Sequence, residues 1–297
     1  MDEEKLADQQ LVERQLADQR PENIEQALDA MQRTLGCYHA TKDKRAVFLR
    51  LYYVMTLEVY AAIRGCGRYE NVQTFLDPDW IFRLSGRFAT RYFASLDPDH
   101  RSPAWAVAHE AAQDPGSSVV ENALLGINAH INRDLPMAIA DNLDPVELTD
   151  YRILQRRKFD HDQVNKLLIA VMNGIQDTLA ADYEPGIAVA DRIMGSLDER
   201  VGAFALKHFR EHVWWDALAY ASAKAGPVDE EIVRAKLDAM ASEYAADLKH
   251  PRWLWWLEEA LNAVVRRFRK EKDWPSIALE QRCCHDHRSL ADAARAA

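Results

Sequence analysis

Eleven glycines and eleven prolines in 297 residues leave this chain little material for turns. Many-stranded all-β folds, collagen-like chains and disordered low-complexity chains all need more of one or both. The four cysteines, Cys37, Cys66, Cys283 and Cys284, are too few for a disulfide framework at this length, and the adjacent pair suits a reducing compartment. Neither a GxGxxG loop nor a P-loop is present, so a phosphate cradle for a nucleotide has no support. No run approaches the roughly 18 consecutive apolar residues of a membrane span, which argues against integral membrane association. The N-terminal MDEEKLADQQ lacks the positive and apolar regions of a secretory signal. A cytoplasmic protein is the expectation. A basic excess is also missing. Asp and Glu number 47 against 37 Lys and Arg, for a net charge of -10, so nucleic acid is not an expected partner.

What the chain has is helical periodicity over most of its length. A hydrophobic fraction of 48% is enough for a sizeable core. Pro21 suits a helix start, Ile24, Ala27, Leu28, Met31 and Leu35 mark one apolar face, and Gly36 reads as its stop. Residues 42–64 form an apolar, aromatic helix, and GCGRYEN (65–71) a loop. Asp77-Pro78 opens a helix to about Ser95. A short helix begins near Pro103. Ser118 followed by Glu121 is a capping box, so a helix starts at Val119 and meets Pro136. Further helices are expected near 145–157, 160–182, 186–196, 198–225, 229–249 and 252–270. The expected fold is all-α, a single-domain bundle of about ten helices. A solvated helix over 1–20 precedes the core domain of 21–274, and a tail over 275–297 is at best partly ordered. Residues 1–20 either pack on the body or mediate self-association, for which a homodimer is the simplest form.

Two clusters carry chemistry. In ENALLGINAHINRDLPMAI (121–139), His130 and Asp134 are four apart and fall among Val119, Ala123, Ile127 and Ile131, where the apolar face points. A buried carboxylate must be paired. It therefore either binds a metal beside the imidazole or holds the imidazole in one tautomer, as a structural pair or a general base. Glu121, Asn128 and Asn132 lie on the opposite side, and the two asparagines suit a cap or a bridge to a neighbouring helix. In KHFREHVWWDALAYA (207–221), His208, His212 and Asp216 are spaced i, i+4, i+8, with Val201, Ala205, Phe209 and Ala219 on the same face. A His-x-x-x-His pair on a helix can hold a metal, although Phe209 replaces the Glu of the zinc protease motif. If the two stripes meet, three His and two Asp would serve one or two metals. Otherwise they are two separate buried pairs.

Other signals are weaker. Asp160 reads as a helix cap and His161 as exposed, with a ligand role as the alternative. Glu58 is either a buried acid or a partner of Arg45, Arg50 or Arg64. Cys283, Cys284, His285 and His287 lack zinc-site spacing. Tyr52, Tyr53, Tyr92 and Phe93 read as core or as the wall of an apolar pocket. Arg152, Arg156, Arg157 and Lys158 form a basic face.

GINAHINRDLP, with DPDW (77–80), FDHDQVN (159–165) and REHVWWDALAYA (210–221), resembles a bacterial, actinomycete-type family of uncharacterised helical proteins. More distantly, HINRDLP (130–136) is similar to a helix motif of the zinc-dependent phospholipase C and P1-type nuclease superfamily. That likeness implies an all-α fold with His130 and Asp134 as zinc ligands. The chain departs from it in having no Trp or His at residue 1.

Two functions follow as expectations. One is a metal-dependent hydrolase of a small-molecule ester or phosphoester, with His130, Asp134, His208, His212 and Asp216 holding zinc, iron or manganese and a metal-bound water attacking. His130, Asp134 and His212 would take part in that chemistry. The other is a metal-free helical pocket that binds an apolar metabolite, as a cyclase, lyase or isomerase of natural-product biosynthesis working through a His–Asp pair.

Overall fold

The computed structural model describes residues 13–183, 212–226, 229–249 and 274–282. Among these residues there are nine α-helices and no strand: α1 (Ile24–Thr41), α2 (Arg45–Arg64), α3 (Pro78–Ala94), α4 (Pro103–Gln113), α5 (Val119–Ala129), α6 (Leu135–Asn142), α7 (Tyr151–Asp182), α8 (Val213–Ala225) and α9 (Glu230–Lys249). A π-helical turn, His130–Asp134, joins α5 to α6. The all-α expectation holds. The helices expected near 186–196 and 252–270 lie outside the described residues, as does the first part of 198–225.

Side chains placed by the sequence start most of these helices. Asn23 accepts from the backbone N–H groups of Glu25 and Gln26, Asp77 from Trp80, Ser102 from Trp105, Ser118 from Glu121, and Asp150 from Arg152 and Ile153. Each removes one or two of the orphan donors that every helix start exposes. Gly36 does not stop α1. The helix passes through it, since nothing crowds the position, and ends five residues later, where Lys42 takes a left-handed conformation (φ 55°). Residues 151–182 are one helix and not two. No Pro or Gly interrupts the join at 157–160, and the Asp160 carboxylate is engaged elsewhere instead of capping its own helix.

The apolar helix α2 is the centre of the body. It packs against α1, α3, α5 and α7, and Leu49, Val47 and Ala46 are fully buried. By length and composition the stretch Arg45–Tyr69 could cross a membrane, but 67% of its apolar window is buried against the rest of the protein, the pattern of a core helix. α6 lies between α3 and α8, and α9 covers α4, α5 and α8. α1 and α3 meet at Gly86, where a Cβ would fall inside the backbone of Glu22 and Asn23.

Residues 274–282, which include the first part of the expected tail, pack on this body. Arg50, 2% exposed, pairs with Asp182 at 2.7 Å and with Glu280, and the Tyr53 hydroxyl donates to the Glu280 carbonyl at 2.8 Å. A buried guanidinium requires such partners, because an unpaired buried charge is very costly. Cys66 is disulfide-bonded and Cys37 is free. Glu58 pairs with Arg68, and not with Arg45, Arg50 or Arg64, and accepts from the Tyr69 hydroxyl.

The contact at Gly86 gives a direct test. Gly86→Ala should destabilise the protein by at least about 1–3 kcal/mol, the usual cost of overpacking, because rigid backbone stands in the way. Gly36→Ala, in open space, should be neutral or slightly stabilising. Chemical denaturation of both variants checks this.

Candidate functional site

The π turn shapes the site. Leu135 donates its N–H to the carbonyl of His130, five residues back. Pro136 has no N–H to give the Asn132 carbonyl, and its ring would press on that carbonyl in a regular α-turn. The wider turn relieves this, and such turns are frequent at functional sites. His130, Ile131, Asn132 and Asp134 are all buried here. Asn128 and Asn132, on the other side, are buried too. Asn132 donates to Asn128 at 2.8 Å, and Asn128 donates to the Ala241 carbonyl of α9 at 2.8 Å, the expected bridge to a neighbouring helix.

Asp134 has no exposed surface, yet its carboxylate is well supplied with donors. Oδ2 accepts from the Trp105 indole at 2.8 Å and from His130 Nδ1 at 3.1 Å, and Oδ1 accepts from Arg133 at 3.0 Å. Arg133 also reaches Asp238 on α9 at 2.9 Å. Burial pushes the Asp134 carboxyl up, but the His130 hydrogen bond and the Arg133 charge outweigh it and hold the pKa below its ordinary value of 3.8. The ionised carboxylate can only accept, so His130 Nδ1 carries a proton. In the neutral ring Nε2 is then the basic nitrogen.

Aromatic rings fix the imidazole. Phe88 stacks on it with centroids 3.5 Å apart and planes 8° apart, and Tyr52 meets it edge-on at 4.4 Å. On the far side of Trp105, His109 stacks at 5.3 Å. Burial and the charge of Arg101 hold the His109 pKa well below the ordinary range, so this ring is a neutral packing group. Phe48 also packs edge-on against His130, and its own position depends on Gly126, where a Cβ would overlap the Phe48 ring.

His130 lines a cavity of about 100 Å³ between α2, α3, the α5–α6 junction and α7. Leu51, Met55, Leu84, Ile127, Val164 and Leu168 make most of its wall. Tyr52 is part of this wall, while Tyr53, Tyr92 and Phe93 are core. A second imidazole, His161 of α7, also lines the cavity. It is 2% exposed, against the expectation that it faces solvent. Its companions at i+3 and i+7, Val164 and Leu168, are lining residues too, and that spacing was the signal in the sequence for its inward direction.

Asp160 positions this wall. Its buried carboxylate accepts from the backbone N–H groups of Leu76 at 2.6 Å and Asp77 at 2.9 Å. Asp77 in turn caps α3 and pairs with Arg157 of α7. The DPDW and FDHD motifs are thus one brace, which ties α7 to the start of α3 on either side of the cavity.

The two described members of the second His/Asp stripe do not join this site. His208 lies outside the described residues. The described helix starts at Val213, so His212 precedes it and is exposed instead of sharing its buried face. Asp216 faces Lys236 at 3.5 Å. Neither His212 nor Asp216 lines the cavity. Among the described residues, no three His, Cys, Asp or Glu side chains gather where a metal could be held. Two of the four basic-face residues are ion-paired: Arg157 with Asp77 and Glu147, and Lys158 with Asp162.

Trp105→Phe keeps an aromatic ring but opens a void and removes one donor from a buried carboxylate, and should cost at least about 1–3 kcal/mol. Asp134 has a lowered folded-state pKa. Its ionised form therefore stabilises the fold above the unfolded-state value, and that contribution is lost as pH falls through the folded-state value. Asp134→Asn should be less stable at neutral pH and should lose less additional stability on acidification below about pH 4. Thermal unfolding measured against pH tests both variants.

The family model described as "Family of unknown function (DUF5995)" matches residues 24–251, the span from the start of α1 to just beyond α9. No curated protein and no solved structure matches the chain. With most of its length matched, the chain belongs to the family of unknown function DUF5995.

Proposed function

We propose that the protein binds an apolar small molecule in the cavity and acts on it by acid–base chemistry at His130, held by Asp134. The observation that carries this reading is a buried, ionised carboxylate orienting an imidazole into a pocket whose wall is otherwise almost wholly hydrocarbon. Such a wall selects ligands by burying apolar surface, at about 25 cal/mol per Å². A carboxylate behind the ring raises its basicity and favours the imidazolium once a proton has been taken. Proton transfer by a positioned side chain typically contributes about 10²–10⁴-fold. A cyclase, lyase or isomerase acting on an apolar metabolite, as in natural-product biosynthesis, fits this chemistry.

The donor set favours this over the metal-dependent hydrolase. Both Asp134 oxygens are engaged by Trp105, His130 and Arg133, and among the described residues the cavity wall carries no carboxylate. The likeness of HINRDLP to the zinc superfamily rests on His130 and Asp134, which here are hydrogen-bonded to each other.

Calorimetric titration with apolar cyclic ketones and hydrocarbons, before and after chelator treatment, tests the reading. Binding should survive chelation, Val164→Trp should abolish it by filling the cavity, and His130→Ala should retain it within a few-fold. One or two equivalents of zinc, iron or manganese in the purified protein, with binding lost on chelation, would favour the hydrolase instead.

A further inference from the structure

The cavity holds a second imidazole that the His130–Asp134 pair leaves unused. His161 comes from a different wall, and its Nδ1 also faces a carboxylate, Asp162 Oδ1 at 3.4 Å. Its ring packs on Trp214 of α8, with centroids 5.9 Å apart. The two imidazoles are therefore oriented alike, each through Nδ1, and line one cavity.

Their carboxylates differ. Asp134 is wholly enclosed. Asp162 has a side-chain exposure of 42% and also accepts from Lys158 at 2.6 Å. The hydrogen bond from His161, followed by that from Lys158, brings the Asp162 carboxyl down to about 2, so it too is ionised. His130 faces a carboxylate closed to water, while His161 adjoins one that meets water and can exchange protons with it.

The rest of the polar inventory is short. The Thr56 and Ser85 hydroxyls on the wall donate to carbonyls of their own helices, Tyr52 at 2.7 Å and Ile81 at 2.9 Å. The Tyr52 phenol remains. Burial, with the Asp134 charge, pushes its pKa well above the ordinary range, so it stays protonated and can donate to a ligand oxygen. Two imidazoles and one neutral phenol in a hydrocarbon pocket suit a ligand with one polar atom and a reaction that moves a proton without leaving net charge.

We propose that His130 and His161 form a two-imidazole proton-transfer pair, and that the reaction is an internal proton shift in an apolar carbonyl compound. This rests on the reading of the cavity as an apolar-ligand site. Neutral His130 takes a proton from the carbon between the carbonyl and a β,γ double bond. The C–H electron pair becomes a new C–C π bond, and the carbonyl π pair moves onto oxygen, which accepts a hydrogen bond from Tyr52. Protonated His161 then gives its proton to the γ carbon, which binds it with the β,γ π pair. The oxygen pair re-forms the carbonyl, and the π pair formed in the first step moves between the α and β carbons, so the double bond ends conjugated with the carbonyl. His130 is left protonated and His161 neutral. After release, His130 returns its proton to water entering the cavity and His161 regains one beside Asp162. No oxidant or reductant is needed.

The probe is 3-cyclohexenone with its alkylated and bicyclic homologues, followed by NMR in deuterated buffer. The wild-type protein should exchange the α protons and produce the conjugated enone. His130→Ala should lose both activities. His161→Gln should keep binding and α exchange while conversion falls at least about 10²-fold. In the wild-type protein labelled with nitrogen-15 histidine, bound ketone should shift both the His130 and the His161 ring resonances, a readout independent of how any variant folds. A His161→Gln variant that converts like wild type, wild-type exchange without conversion, or a bound ketone that shifts only His130 would overturn the pair and leave the cavity reading standing. A wild-type protein that neither binds nor exchanges any of these ketones would remove both.

Discussion

The central constraint on this protein is a carboxylate placed where water cannot reach it. Asp134 stays ionised in the core only because an indole, an imidazole and a guanidinium all point at it. Those donors come from α4 and from the π turn itself, and Arg133 extends the network to α9. Satisfying one charge thus ties three parts of the bundle together. The cost of breaking any of these links is high, because a half-satisfied buried network is worse than a hydrocarbon core.

The same constraint shapes the cavity. The carboxylate fixes Nδ1 of His130, and the stacked Phe88 fixes the plane of the ring. A helix widened at Pro136 carries both members of the pair, so the local irregularity and the chemistry lie in the same five residues. The opposing wall is set by a separate polar device, the Asp160 brace to the backbone before α3. Polar contacts outside the cavity hold its shape, which leaves the inner surface free to be apolar. A rigid support of this kind is what precise positioning of an acid–base group requires.

Much of this was legible locally. Helix starts at Asp77, Ser102 and Ser118 follow from capping chemistry that depends on a few adjacent residues. His130 and Asp134 could be paired from their spacing and from the apolar company they keep. Sequence and structure diverge where a residue's role depends on something distant. Gly36 carries no stop because nothing crowds it. Asp160 looked like a cap for its own helix, but its partners are 83 and 84 residues away. His161 followed the inward spacing of Val164 and Leu168, yet the adjacent acids suggested a solvated start, and only the continuous α7 shows that the periodicity governs.

The amino-acid sequence by itself determined the all-helical class, most helix starts and the His130–Asp134 pair, because these rest on periodicity and on interactions within about one helical turn. Only the tertiary structure decided which polar groups share a cavity. His161 entered it, whereas His212 and Asp216 did not, and no spacing within a helix encodes how that helix is placed against its neighbours. Trp105 became a partner of Asp134 from 29 residues away. Such contacts are selected by the requirement that every buried charge find its donors, a condition met by the whole packed bundle and not by any one segment.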